Sequence, residues 1–204
     1  MVLVTATVGV SSTAAEEGGP IARLEALGRA LRSSPAWRAP YRQTYLPAGM
    51  TEGEELEGTV WVGWPDHALF LSGRPVNRRM GMDGREVRLV DLEARTCDDH
   101  LLSEEEWSRI PLAAVLDPQA ALDRFTILAL GDDGVTLVPR QPGGVARVEV
   151  VVRRAGLPVE VVVVDPQGAT NRLRFEDWTA VDGPPGGAWL PQPPPGVQCV
   201  TEPQ

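Results

Sequence analysis

Ile21, Leu24, Leu27 and Leu31 recur at helical spacing, with Arg23, Glu25, Arg29 and Arg32 on the opposite face. The spacing predicts a short amphipathic helix stopped by Ser33-Ser34-Pro35. From Trp37 the period becomes two. Trp37, Ala39, Tyr41 and Gln43 lie on one face of a strand, and Arg38, Pro40 and Arg42 on the other. A proline inside such a run points to an edge strand, because it cannot donate to a ladder. Gly49 to Glu55 reads as an acidic loop, followed by strands over Leu56–Gly63 and His67–Ser72 around a Pro65-Asp66 turn.

Asp83-Gly84 joins Arg78–Met82 to Arg85–Asp91 as a hairpin. Cys97-Asp98-Asp99-His100 then reads as a polar loop after that strand. Ser103 and Glu106 have the spacing of a capping box opening a short helix, and Asp117-Pro118 starts a second helical piece reaching Phe125. Strand signals resume at Thr126–Leu130 and Val135–Val138. From Val145 to Arg153 the alternation is clean: Val148, Val150 and Val152 share one face. Val159–Val164 and Asn171–Phe175 follow. The proline-rich stretch from Pro184 to Pro195 is extended rather than helical.

Composition narrows the chemistry. At 204 residues with 43% hydrophobic content, the chain is long enough to bury a real core and reads as one domain over residues 16–204. Its net charge of −9 repels phosphate backbones, so nucleic acid is a poor partner. All 19 basic residues are arginine, which excludes Schiff-base chemistry and a P-loop lysine. No G-x-S-x-G elbow occurs, and the two histidines, His67 and His100, have no zinc-ligand spacing. Asp132-Asp133-Gly134 lacks the calcium-loop spacing and reads as a hairpin turn. No catalytic constellation emerges, so no enzyme activity and no cofactor are expected.

Residues 1–15 are small and uncharged, with Val2–Val10 like the apolar part of a signal peptide and Thr13 and Ala15 as small residues before Glu16-Glu17. The positively charged start of a signal is missing, so an ordinary first strand is the alternative. In an exported chain Cys97 and Cys199 allow one disulfide; otherwise they are two separate thiols.

Several segments match one pattern in order. After the amphipathic helix comes Trp37-x-Ala39-x-Tyr41-x-Gln43, then Gly58-Thr59-Val60-Trp61-Val62 and Pro65. Met82-Asp83-Gly84-Arg85 precedes a strand, Val135-Thr-Leu-Val-Pro139-Arg140 forms a later hairpin, and Pro193-Pro-Pro195-Gly196-Val197 lies near the C-terminus. Together they resemble the periplasmic outer-membrane lipoprotein carriers, the LolA-like chaperones, over about residues 20–200. The resemblance implies a mainly β (α+β) fold: a strongly curved antiparallel sheet forming an incomplete barrel, closed by short helices. It implies a periplasmic monomer whose apolar hollow shields the acyl chains of a lipid or lipoprotein cargo. Its partners would be an inner-membrane release complex and an outer-membrane acceptor. The alternative is a lipid- or protein-sensing module of the same fold that regulates an envelope signalling partner.

On that reading the helices at 103–125 form a lid. Strand parity nominates Tyr41, Val60, Val62, Phe70, Met80, Met82, Leu89, Val148, Val150 and Val152 as acyl-cavity residues. Trp64 joins them by its place in the pattern, since familiar members of the family carry an arginine before the proline where this chain has Trp64-Pro65. In the family that arginine latches the lid and aids handover, so the departure at Trp64 bears on vectorial transfer and leaves lipid binding in place.

Overall fold

A computed structural model describes residues 18–73, 77–103, 106, 118–152 and 156–201. The signal-like opening lies outside them, as does most of the 103–125 segment. Helix α1 (Pro20–Arg32) follows the leucine stripe, with Leu24, Leu27 and Leu31 buried. Proline at its first position suits a site where no N–H is needed. At its other end Ser33 caps through the Ala30 carbonyl, and Trp37 Nε1 donates to the Leu31 carbonyl at 3.1 Å. Orphan carbonyls of the last turn thus find partners.

The strands are β1 (Ala36–Leu46), β2 (Glu54–Gly63), β3 (His67–Ser72), β4 (Arg78–Asp83), β5 (Glu86–Asp91) and β6 (Thr96–Leu101). After helix α2 (Pro118–Arg124) come β7 (Phe125–Leu130), β8 (Gly134–Pro139), β9 (Arg147–Val152), β10 (Pro158–Val164) and β11 (Thr170–Phe175). Two short strands complete the set, β12 (Thr179–Val181) and β13 (Val200–Thr201). All belong to one sheet, ordered β13-β6-β5-β4-β3-β2-β1-β11-β10-β9-β8-β7, with β12 beside the start of β1. Every pairing is antiparallel except β13 on β6. β13 and β7 stand at opposite ends of the order, so the described sheet is open, as expected of an incomplete barrel.

Two sequence expectations are corrected. β1 is central, paired with β2 on one side and with β11 and β12 on the other. Pro40 is tolerated there because it lies opposite the break between β11 and β12. Its carbonyl accepts from Glu176 N at 3.1 Å, and no ladder position calls for its missing donor. The Cys97–His100 stretch is also no loop. It is β6, paired residue for residue with β5 and extended by β13.

One face of the sheet carries two environments. Over β7–β9, α1 and α2 close against it, and Leu24, Leu27, Leu137, Val135, Val148 and Val150 form a sealed core with Ala121 and Phe125. The strands on the β6 side have no described helix over the same face. The opposite, convex face carries the C-terminal segment as a strap. A Cβ on Gly63 would meet the Trp189 ring at 2.6 Å, and one on Gly81 would overlap the Trp189 carbonyl oxygen and Pro191 Cδ. Trp189 stacks near His67 at 5.2 Å between ring centroids. Arg95 holds the Pro195 carbonyl at 2.9 Å, and the strap ends in a disulfide from Cys199 to Cys97.

Candidate functional site

Side chains two residues apart on a strand share a face, so the pairing register fixes which residues look into the hollow. One cross-strand row runs Val60, Phe70, Met80, Leu89, Asp98; the next runs Val62, Ala68, Met82, Val87, His100. Tyr41, Gln43, Leu173, Phe175, Val161 and Val163 continue the same face across β1, β11 and β10. Where the helices stop, these side chains, apart from the core residues Val60 and Val62, line a cavity of about 800 Å³. That size lies within the roughly 300–1,000 Å³ of small-molecule sites.

The wall is mostly apolar and only partly covered. Met80 is 37% exposed and Leu89 48%. Phe70 stands edge-on to Tyr41, with ring centroids 5.4 Å apart. Tyr41 Oη shares a 2.7 Å hydrogen bond with Ser72 Oγ, which keeps a polar tip satisfied within an apolar wall. Burial pushes the Tyr41 hydroxyl pKa up, and the Ser72 bond only partly counters this.

Polar groups collect towards β6. Arg78 Nε donates to Asp91 Oδ2 at 3.1 Å. The Asp91 carboxyl is held below its ordinary range, first by the Ala94 backbone N–H and then by Arg78. Thr96, Asp98 and His100 face the cavity from β6 itself. His100 Nε2 lies 3.5 Å from Glu106, whose carboxyl accepts from Ser103 N at 2.8 Å in the capping-box geometry. That backbone bond is the main reason the Glu106 pKa is lowered. Deeper in, Asn171 Oδ1 is buried without a hydrogen-bond partner among the described residues.

Of the residues nominated from sequence, Tyr41, Phe70, Met80, Met82 and Leu89 line this cavity. The other six do not. Val60 and Val62 are packed into the core at the root of β2, and Val148 and Val150, both 0% exposed, are sealed beneath α1. Val152 packs against the same core. Trp64 leans on that core too, with the Arg32 guanidinium of α1 4.8 Å above its ring, so it clasps the helix rather than lining the hollow. The described part of the 103–125 segment, α2, packs on α1 and β7 instead of covering the cavity; of the remainder, only Ser103 and Glu106 are described. Sequence reasoning missed Leu173, Phe175 and the β6 residues. The first two share the parity of Asn171 on a recognised strand; the β6 residues were masked by their polarity.

The only described grouping of metal-type ligands, Cys97, Asp99 and Cys199, contains the disulfide itself, so its sulfurs are bonded to one another. No described helix is long and apolar enough to cross a membrane.

No protein-family model matches the chain, and no curated protein matches it. Solved structures do. The chain is similar to an uncharacterised conserved protein from Thermus thermophilus, with a TM-score of 0.52 and 14% identity. The match covers 88% of this chain and 97% of that one. It is also similar to a LolA superfamily protein from Nitrosomonas europaea, with a TM-score of 0.45, 10% identity, and 82% and 96% of the two chains covered. A third is the MucA/MucB complex of Pseudomonas aeruginosa, with a TM-score of 0.45 and 15% identity; there 78% of this chain matches 56% of that one. At such identities the likeness concerns the fold alone.

Proposed function

We propose that this protein is a periplasmic lipid- or lipoprotein-binding carrier that shields an acyl chain in the cavity on the β6 side of its sheet. One observation carries the reading: a single sheet face is sealed by α1 over β7–β9 and left as an open apolar hollow around Phe70, Met80 and Leu89. Each methylene moved from water into such a hollow is worth about 0.8 kcal/mol, so a sixteen-carbon chain represents about 12 kcal/mol of avoided exposure. Flexible methionine side chains suit tails of varied shape. In this role the protein would take its cargo from an inner-membrane release complex and give it to an outer-membrane acceptor.

The test is native mass spectrometry of protein purified from a membrane-containing lysate, paired with titration of a fluorescent fatty acid. A co-purified lipid or acylated peptide is expected, together with saturable probe binding that Phe70→Asp and Met80→Asp each abolish while circular dichroism stays unchanged. Probe binding that survives both substitutions overturns the reading. Capture of the periplasmic part of a membrane regulator, with no lipid bound, would favour the sensing module instead.

A further inference from the structure

β6 carries two adjacent aspartates with opposite fates. Asp99 faces the convex side, where Arg88 grips it with two hydrogen bonds of 2.6 and 2.9 Å. Asp98 faces the cavity, opposite Leu89 in the register and in line with Met80 and Phe70. It is exposed at the rim and makes no ion pair or side-chain hydrogen bond among the described residues. The basic side chains of the same face are engaged elsewhere: Arg78 with Asp91, and His100 beside Glu106. Arg88 stands at a register position of the other face, and Arg79, outward by register, also borders the cavity. The row Phe70–Met80–Leu89–Asp98 therefore crosses three strand spacings, about 14 Å, from an aromatic ring to a carboxylate with no ion-pair partner among the described residues.

We propose that Asp98 is a headgroup station, and that the cavity selects amphiphiles bearing a cationic, hydrogen-bond-donating head over those bearing an anionic one. This rests on the acyl-chain reading of the same cavity and adds to it which end of the ligand lies where. A chain along the Phe70–Leu89 row brings its head to β6, at the wet rim where a charged group keeps part of its hydration. An ammonium there donates a charge-assisted hydrogen bond to the Asp98 carboxylate. A fatty carboxylate or a phosphodiester gains none and meets like charge, and the net charge of −9 acts in the same direction.

The experiment compares dodecylammonium, laurate and dodecyl maltoside by calorimetry below their micellar concentrations, in wild type, Asp98→Asn and the convex-face control Asp99→Asn. In wild type at low salt, dodecylammonium should bind roughly fivefold more tightly than laurate, the scale set by one solvent-exposed ion pair. That gap should shrink as salt rises from about 0.01 to 0.15 M, where the screening length falls from roughly 30 to 8 Å. Asp98→Asn should close the gap while leaving maltoside affinity unchanged, and Asp99→Asn should preserve it. Laurate binding as tightly as dodecylammonium, or a gap that persists in Asp98→Asn, overturns the headgroup assignment. Maltoside binding without a gap defeats this inference alone; failure of all three to bind defeats the acyl-chain reading with it.

Discussion

Breaking the Cys97–Cys199 bridge tests how far the convex strap depends on its anchor. The bridge closes a loop of 102 residues in sequence. On the chain-entropy model a loop of that length removes about 16 cal/mol/K from the unfolded ensemble, or about 4.7 kcal/mol at 25 °C. The native strap keeps other holds: Trp189 against Gly63 and His67, Pro191 over Gly81, and Arg95 on the Pro195 carbonyl. Reduction should therefore leave the folded state recognisable and act mainly through the unfolded chain. With a urea slope of about 3 kcal/mol/M, the unfolding midpoint should fall by about 1.6 M. The melting temperature should fall by about 10–18 °C. The assay is urea unfolding of the oxidised protein, the same protein under dithiothreitol, and the Cys97→Ala/Cys199→Ala double variant. Reduced wild type keeps both sulfurs in place, so agreement between it and the double variant separates cross-linking from packing at the buried Cys97. A midpoint shift below about 0.3 M, or a native tryptophan spectrum that already changes on reduction, would refute this reasoning.

Gly81→Val should cost about 1–3 kcal/mol by wedging the strap off the sheet, seen as a lower melting temperature and faster proteolysis after Trp189. Gly144→Ala, where nothing lies within 4 Å, should do neither. Leu27→Ala should lose about 2–5 kcal/mol from the sealed core yet leave fatty-acid affinity unchanged, because Leu27 sits on the helix-covered half of the face. At Glu160, burial pushes the carboxyl pKa up, but hydrogen bonds from Arg174 and Arg172 outweigh it and leave the pKa lowered. A carboxyl with a depressed folded pKa stabilises the protein above its unfolded value, near 4.5, and that stability is lost as pH falls through the folded one. Urea midpoints should therefore drop as pH falls below about 4.5, and drop less in Arg172→Gln/Arg174→Gln.

Most strands were legible because their apolar alternation survives in any packed sheet. His67–Ser72 was found with its observed bounds, and Asp83-Gly84 marked the β4–β5 hairpin. β6 was not legible, since the alternation rule assumes a dry inner face. There the inward residues are Thr96, Asp98 and His100, so the sequence of a cavity wall imitates that of a loop. Pro40 misled for a related reason: the penalty on proline depends on whether the neighbouring strand needs a donor at that position, and a break between β11 and β12 removes the need.

Parity alone also could not divide core from cavity, because Val148 and Leu89 share one continuous face. What divides them is the reach of the helix. Thirteen residues at 1.5 Å each make α1 about 20 Å long, and strands lie about 4.8 Å apart. Such a helix covers roughly four strands of a thirteen-stranded sheet. With α2 beside it, the β7–β9 half is sealed and the strands towards β6 keep an open apolar face. The convex side obeys the same logic in reverse. A glycine inside a strand often marks a close approach by another backbone. Gly63 and Gly81, on the outward parity of β2 and β4, lie where Trp189 and Pro191 cross, so the strap holds the curved half of the sheet from outside while the hollow stays free within.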